Sequence, residues 1–385
     1  MEEWKPYILG EIVEKVIDNR GKSAPSSSNE RYPLIEINAI GGFHPNYSEI
    51  RKYVSDTVFH SWFRAGHPTE GDILIPTVGT IGIVSLMDNC EACIAQNVIA
   101  LRLKKEFCPE FVYYYLRSKT AINYLLNLNI GGVQPSIKVP HLLKMPIYLP
   151  SIETQKAIAS MLLSFDNKIE LNNRINHNLE EQAQALYKSW FVDFEPFKGG
   201  KFVDSELGMI PEGWRVGTLS ELLEVRYGKD HKALKDGTIP VFGSGGLMRY
   251  VERALFEGES VLIPRKGTLN NVIYVNGAFW TVDTLFYTVE RASNAIKYCH
   301  LFLLTQDLAS MNAGSAVPSM TTDILNNLPL LVPPYQVLND FNRVLSSIYD
   351  VRSQREEESN SLSQSRDTIL PQLMTGALTN TQLNC

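Results

Sequence analysis

This chain of 385 residues contains the same domain sequence twice, in degenerate form. GDILIPTVGT at 71–80 returns as ESVLIPRKGT at 259–268, and NIGGVQPSI at 129–137 returns as NAGSAVPSM at 312–320. A repeat of this length exceeds the roughly 20–50 residues of a solenoid unit, so it predicts a duplicated domain. A duplicated chain has a pseudo-two-fold axis, which suits a partner that is itself nearly two-fold, such as duplex DNA.

A heptad pattern begins at Ile158, after the first copy, and another begins at Val337, after the second. Spacings that alternate between four and three residues are those of a coiled-coil seam, and Pro150 and Ser151 mark the start of the first helix. We predict two long antiparallel coiled-coil helices that hold the two globular halves apart. The alternative is two helices that pack separately on their own domains. The predicted helix or subunit interface residues are Leu162, Phe165, Ile169, Asn172, Asn176, Phe341, Val344 and Ile348.

Each globular half is predicted to be α+β, a small twisted β-sheet with short helices. The runs DILIP, VIALRL, SVLIP and TLFYTV have the branched residues of strands, and 111–126 is predicted to be helical. Three consecutive tyrosines at 113–115 invite base stacking, but helical spacing favours core packing. The predicted domains are 1–150 and 199–333 for the two globular halves, 151–198 for the central helix and linker, and 334–385 for the distal helix and tail.

Composition excludes several classes of protein. No apolar run approaches the ~18 residues of a membrane span. Five cysteines are an odd number, which argues against a disulfide framework and for a reducing cytoplasm. Cys90 and Cys93 form a lone C-x-x-C, for which reduced core thiols are favoured over a zinc site. The net charge of −6 restricts any basic surface to a local patch, so a partner would supply much of the phosphate neutralisation.

Two segments resemble parts of a methyltransferase, and both depart from the pattern at an essential position. The glycine-rich run Val241–Gly246 has Ser244 where such a loop keeps glycine. The V-P-P-Y run at 332–335 begins with Val332, which cannot make the hydrogen bonds of an asparagine or aspartate. The sequence therefore predicts no catalysis by this chain.

Together these features resemble the specificity subunits of type I restriction–modification systems. The resemblance covers essentially the whole chain. It rests on the duplication, the two strands that end in a G-T turn, the two turns at 129–137 and 312–320, the helix start P-S-I-E-T-Q-K-A-I-A, the segment I-P-E-G-W at 210–214 and the closing L-P-Q-L-M-T-G-A-L. It implies that each half is a target recognition domain that reads one part of a bipartite DNA site, while the helices set the spacing and dock two methyltransferase subunits.

The resemblance further implies a non-catalytic, cytoplasmic chain that is joined by translocating restriction subunits. S-adenosylmethionine, ATP and Mg²⁺ would then be bound by partner subunits and not by this chain. Two other readings stay open. A duplicated scaffold that binds only protein would lack salt-sensitive DNA binding. An autonomous methyltransferase would bind S-adenosylmethionine without any partner subunit.

Candidate DNA contacts are the polar and basic loop residues of both halves, because such side chains read base edges and phosphates. Thr77-Val78 of the first half is replaced by Arg265-Lys266 in the second, as two different half-sites would require. The candidates of the first half are Arg20, Lys22, Ser23, His44, Thr77, Thr80 and Gln134. Those of the second half are Lys229, His231, Lys232, Ser244, Arg265, Lys266, Thr268, Asn270, Ser315 and Ser319.

Overall fold

The structure is a computed structural model that describes residues 4–128, 136–311 and 319–376. Its chain divides into two compact units, one built from residues up to Asn172 together with residues from Glu357 onwards, the other from Asn173–Glu356. Two long helices are each divided between the two units.

The first unit contains one copy of the duplicated domain, the first half of one long helix up to Asn172 and the second half of the other from Glu357. Its strands are β1 Lys5–Ile8, β2 Val13–Ile17, β3 Tyr32–Ile35, β4 Tyr53–Val54, β5 Ile73–Pro76, β6 Ser85–Leu86, β7 Cys93–Ile94, β8 Val98–Leu103 and β9 Pro146–Leu149. Its helices are α1 Leu9–Ile12, α2 Asp56–Trp62, α3 Pro109–Leu116, α4 Lys119–Asn127, α5 Val139–Leu142 and the start of α6 Ile152–Phe191, and 3₁₀ turns lie at Ile37–Ala39 and Tyr47–Glu49.

An antiparallel sheet with the strand order β2-β8-β5-β6 lies at the centre of this unit. Both of its faces are buried: Ile73 packs into the core formed with the helices, whereas the next residue, Leu74, packs into a separate cluster on the other face. A second sheet has the order β4-β3-β7, with β3 parallel to β7, and β1 pairs with β9. Burial on both faces explains why β5, ILIP, and the first four residues of β8, VIAL, are continuous apolar runs without polar alternation.

The predicted helix at 111–126 is two helices, α3 and α4. Arg117 ends the first, and the hydroxyl of Ser118 accepts a hydrogen bond from the Ala121 amide at 3.3 Å to cap the second. The tyrosines at 113–115 are all buried in the core, which confirms the prediction of packing over base stacking.

The second unit contains the other copy of the domain. Its strands are β10 Phe202–Ser205, β11 Gly208–Pro211, β12 Arg215–Thr218, β13 Leu223–Tyr227, β14 Asp236–Gly243, β15 Gly246–Val251, β16 Phe256–Glu257, β17 Ser260–Pro264, β18 Ile273–Val275, β19 Ala278–Thr281, β20 Leu285–Glu290 and β21 Pro329–Val332. Its helices are α7 Leu219–Leu222, α8 Ile296–Leu304, α9 Thr322–Asn326 and much of α10 Tyr335–Met374, and a 3₁₀ turn lies at Glu195–Phe197.

The strand orders of the two units match. The sheet β13-β20-β17-β18 corresponds to β2-β8-β5-β6, the pair β12-β21 corresponds to β1-β9, and β14 is parallel to β19 as β3 is to β7. The duplication read from the sequence is therefore confirmed as a duplication of fold. The second unit differs in the β14–β15 pair, which is longer than its counterpart β3–β4, and in β16, which adds a fourth strand to this sheet.

The long helices α6 and α10 pair antiparallel in both units, as predicted. In the first unit Arg366 forms a buried ion pair with Asp166, and the Asn172 amide donates to Glu358 at 2.9 Å. In the second, the rings of Phe191 and Phe341 lie 4.7 Å apart. In each unit, later residues of α6 meet earlier residues of α10, which is the antiparallel arrangement.

The predicted seam of α10 is wrong by one residue after Phe341. Val344 is 40% exposed, whereas Leu345 is fully buried and Tyr349 follows it into the core. The heptad assumes that the helix faces only its partner helix. The α10 helix also packs on the domain, where Tyr349 binds His300 of α8 at 2.7 Å, so its buried face follows 3.6 rather than 3.5 residues per turn. Of the other predicted interface residues, Leu162 and Asn172 are buried, and Phe165, Ile169, Asn176 and Ile348 are half-buried.

Candidate nucleic-acid interface

The turn that follows β5 in the first unit and β17 in the second has the same backbone geometry in both units. The amides of Thr77 and Arg265 each donate a 2.8 Å hydrogen bond, to the carbonyls of Asn97 and Thr284 respectively. Bridges from Val78 to Ser136 and from Lys266 to Ser319 follow in the same manner. Residues 77–78 and 265–266 are therefore equivalent positions, as the sequence alignment of the two halves predicted.

Thr77 is wrong as a DNA contact. Its side chain is only 1% exposed, and its hydroxyl donates to the Asn97 carbonyl at 3.2 Å. A short side chain at this position turns into the domain and satisfies its hydroxyl on the backbone, as buried polar groups must. Arg265 is long enough to leave the same position: its guanidinium donates to the Asp283 carbonyl at 3.3 Å and lies 5.4 Å from the centre of the Tyr227 ring.

In the first unit, the loop after β2 brings Lys22 and Ser23 to a cleft that is also lined by Trp62, Gln96 and Asn97. We call this set the first cleft. Lys22 and Ser23 are both exposed, so a ligand that approaches the cleft can reach them.

Arg20 lines an adjoining groove with Arg64, and a neighbouring carboxylate offsets its charge. Its guanidinium donates to both carboxylate oxygens of Asp18, at 2.8 and 2.6 Å. The same hydrogen bonds hold the pKa of Asp18 below its usual value. Exposed pairs of this kind contribute only about 0–1 kcal/mol, so a phosphate can compete for Arg20.

The other candidates of the first half lie elsewhere. His44 is half-buried, with Nδ1 3.0 Å from the Leu86 carbonyl. Thr80 is exposed on the turn after Gly79. Gln134 lies outside the described residues.

In the second unit, a cleft of about 480 Å³ is lined by His231, Lys232, Ser244, Met248 and Asp283, among other residues. We call this set the second cleft. Lys229 precedes it and is exposed. The hydrogen bond from the Lys232 amide is the main reason that the pKa of Asp230, another lining residue, is lowered.

The Arg265 turn lies against the second cleft. A Cβ added at Gly267 would stand 3.0 Å from the Ser244 hydroxyl, and Gly267 has a φ of +88°, which favours glycine. Lys266 and Thr268 are exposed on this turn. The structure thus brings the turn, Ser244 and the loop at 229–232 together, although they are distant in sequence.

Two candidates of the second half have structural roles. The Asn270 amide group donates to Asp307 at 3.1 Å and accepts from the Ala309 amide at 2.9 Å, so both ends of it hold a loop. Ser319 pairs through its backbone with Lys266. Ser315 lies outside the described residues.

Sequence reasoning missed Gln96 and Asp283, which line the first and second clefts respectively. Both are exposed. Gln96 lies in the short connection between β7 and β8, and Asp283 lies in the equivalent connection between β19 and β20. No motif marks them. An alignment of the two halves extended through AQNV at 95–98 and VDTL at 282–285 would have paired them.

The described cysteines and the clusters of acidic and histidine side chains can be assessed as other kinds of site. Cys90, Cys93, Cys108 and Cys299 are free thiols, and burial raises the pKa of Cys93 to about 12. Within the part of the chain that the structure describes, no three His, Cys, Asp or Glu side chains are grouped so as to hold a metal ion. No helix within residues 4–128, 136–311 and 319–376 is both long and apolar enough to span a membrane.

Comparison with known proteins gives consistent matches. The family described as the type I restriction modification DNA specificity domain matches residues 1–181 and 211–356. The MjaIX specificity subunit of Methanocaldococcus jannaschii is 26% identical over 337 residues, which are 80% of this chain and 78% of the relative. The HindI specificity subunit of Haemophilus influenzae is 21% identical, over 70% of this chain and 77% of its own. A crystal structure of a type I restriction–modification S subunit from M. genitalium superposes with a TM-score of 0.59 at 18% identity, covering 97% of this chain and 96% of that one.

Proposed function

The chain belongs to the type I restriction–modification DNA specificity family, since the family match covers most of its length, and from this premise we propose how its parts divide the work. Each unit reads one part of a bipartite duplex DNA site. The paired helices α6 and α10 set the distance between the two parts and dock two methyltransferase subunits. Restriction subunits join this assembly and use ATP and Mg²⁺, and the methyltransferase subunits bind S-adenosylmethionine.

One observation carries the proposal: the turn beside each cleft is held by the same backbone hydrogen bonds but carries different side chains. Thr77 and Arg265 share a backbone position and differ in charge and direction. Two copies of one site with different linings are suited to reading two different sequences, because base edges are discriminated by side chains and not by the scaffold.

The helix pair supports a spacing role because polar contacts fix its register. Asn172 is completely buried and donates to Glu358 at 2.9 Å and to the Ser359 hydroxyl at 3.3 Å. Buried polar positions in a coiled-coil seam specify register, since a slipped pairing leaves them without partners. A fixed register would give a fixed distance between the two half-sites.

The charge of the chain is compatible with this division of labour. Lys22, Lys232 and Lys266 are exposed at or beside the two clefts, although the whole chain carries −6. A local basic set positions the duplex, and the methyltransferase subunits supply further phosphate contacts.

The test is an exchange of residues 13–103 for the corresponding residues of another member of the family. This range contains β2 to β8 and the first cleft. It leaves in place β1, β9 and the long-helix residues, such as Leu162 and Leu373, that complete the core of the unit. The chimaera is assembled with the methyltransferase subunit of its own system, and modified adenines are mapped on genomic DNA.

We expect the exchange to alter one half of the recognised site and to preserve the other half and the gap. A simultaneous change of both halves would contradict modular reading. An assembly that binds DNA no better than the methyltransferase subunit alone would instead favour a scaffold that binds only protein.

A further inference from the structure

We propose that Gln96 and Asp283 are base-reading residues at equivalent positions of the two units. The amide of Gln96 would pair with an adenine of the first half-site, and the carboxylate of Asp283 would accept a hydrogen bond from the amino group of a cytosine in the second. This inference rests on the proposed function and deepens it by naming two residues that determine specificity.

Backbone hydrogen bonds establish the equivalence of these positions. The Ala95 amide donates to the Ile35 carbonyl at 2.9 Å, and its own carbonyl accepts from Val98 at 3.0 Å. In the second unit the Val282 amide donates to the Phe242 carbonyl at 3.0 Å, and its carbonyl accepts from Leu285 at 3.0 Å. Gln96 and Asp283 are the residues that directly follow Ala95 and Val282.

The fold does not use either side chain. Both are exposed, and neither makes a side-chain hydrogen bond or ion pair within the residues that the structure describes. The conformation of each connection is fixed by the main-chain bonds, so the residue type is free to vary. An amide in one copy and a carboxylate in the other are then explained by a ligand rather than by folding.

The charge of Asp283 excludes a role in binding phosphate. Asp283 lines the second cleft together with Lys232, and its own carboxylate would repel a phosphate oxygen. Carboxylates at protein–DNA interfaces accept hydrogen bonds from the amino group of cytosine, whereas glutamine pairs with the N6 and N7 atoms of adenine. The same position therefore carries a side chain that prefers adenine in the first unit and one that prefers cytosine in the second.

Gln96 lies in matching surroundings. Lys22 and Ser23 of the loop after β2 line the first cleft with it, as His231 and Lys232 of the loop after β13 line the second cleft with Asp283. In both units the base reader is thus flanked by residues suited to phosphate contacts, which fix the register of the duplex.

The experiment uses the full chain, assembled with its methyltransferase subunit, and a duplex library in which both half-sites are randomised. Asp283→Asn should lower the preference at one base pair of the second half-site by about 10- to 100-fold and leave the first half-site unchanged. It should also strengthen binding to non-specific duplex, because a negative charge near the phosphates is removed. Asp204→Asn, an exposed acid on β10, is the matched control and should change neither quantity.

A gain of function completes the test. Gln96→Glu should shift the preferred base at one position of the first half-site from adenine to cytosine. Uniformly tighter binding of Asp283→Asn to all sequences, with its site preference intact, would make Asp283 a simple surface acid and overturn the inference. Thermal unfolding of each assembly checks that the fold is retained.

Failure of the inference can be distinguished from failure of the proposed function. If the unmodified assembly selects two half-sites and both variants keep the complete preference, only the inference is overturned. If the unmodified assembly shows no half-site selection, the proposed function fails first.

Discussion

The two units share a backbone and use their polar side chains differently, both inside and at the surface. In the first unit a buried ion pair between Asp166 and Arg366 joins the long helices, and Tyr114 of the domain donates to Asp166 at 2.5 Å. In the second unit, contacts between the domain and α10 are made by His300, 2.7 Å from the Tyr349 hydroxyl, and by Lys297, whose ammonium group donates to Asn342 at 3.1 Å. Domain and helix are therefore joined by polar contacts in both units, but by different groups in each.

The surface difference follows the same rule. Thr77 turns inward and Arg265 extends outward from one backbone position. The scaffold fixes where a side chain begins, and the length and charge of the side chain decide what it reaches.

The largest effect is expected from breaking the charged contact of the first unit. Arg366→Ala leaves the carboxylate of Asp166 buried and without its cation, which should destabilise the chain by about 3–5 kcal/mol. Urea unfolding of the full chain measures this loss. Arg343→Ala, which removes an exposed pair with Asp340, is the control and should cost less than about 1 kcal/mol. Equal losses in the two variants would show that the ion pair is not what joins the helices.

Acidification should weaken the contact between the neutral His300 imidazole and Tyr349 in the second unit. Burial lowers the pKa of His300 to about 3, whereas the unfolded chain protonates histidine near pH 6.5. Stability from the neutral imidazole is therefore complete above about pH 6.5 and is lost as the pH falls below it, by roughly 2 kcal/mol at pH 5. Between pH 7 and pH 5, the free energy of urea unfolding should fall less in His300→Gln than in the original chain, by about the same amount. Parallel losses in the variant and the original chain would assign the acid sensitivity to other groups.

Removal of the outward side chain should affect recognition and not folding. Arg265→Ala should cost about 1–3 kcal/mol of discrimination at one base pair of the second half-site, measured as relative methylation of variant duplexes by the assembly. Lys266→Ala, at the next residue, is the comparison: we expect weaker binding to all sequences and a salt dependence reduced by about one charge. If both variants retained the affinity and site preference of the original chain, this turn would lie in solvent.

The smallest effect is expected at the inward position. Thr77→Val removes the hydroxyl that donates to Asn97 and should lower stability by about 1 kcal/mol, without altering the DNA sequence that is modified. Thermal unfolding and site mapping of the same preparation test both parts. An altered first half-site would mean that this position is read directly after all.

The sequence was sufficient to predict the duplication, the central strands and the antiparallel helix pair. Each is encoded by a pattern that extends over many residues: a repeat, continuous apolar runs or a heptad. Errors occurred where one residue decides the outcome. Ser118 caps a new helix inside a segment that was predicted to be one helix, and Val344 is displaced from the seam because Tyr349 binds a domain helix.

The site was less predictable than the fold because direction is not encoded by residue type. Thr77 and Arg265 are both plausible DNA contacts by composition, and only their surroundings separate them. Gln96 and Asp283 have no motif, since their connections are held by main-chain atoms that any sequence supplies. Tertiary structure was needed to bring the loop after β2 or β13 next to them.

The main-chain anchoring of the connections at 95–98 and 282–285 has a consequence for how such a protein changes over generations. Most substitutions are removed from a population because they reduce folding stability below a threshold. At a residue whose side chain contributes nothing to folding, that filter is absent, and variants accumulate at full abundance in the cell. If Gln96 and Asp283 read bases as proposed, natural selection acts on each variant only through the chromosomal sites that the assembly marks. A new target can then appear in a single mutational step.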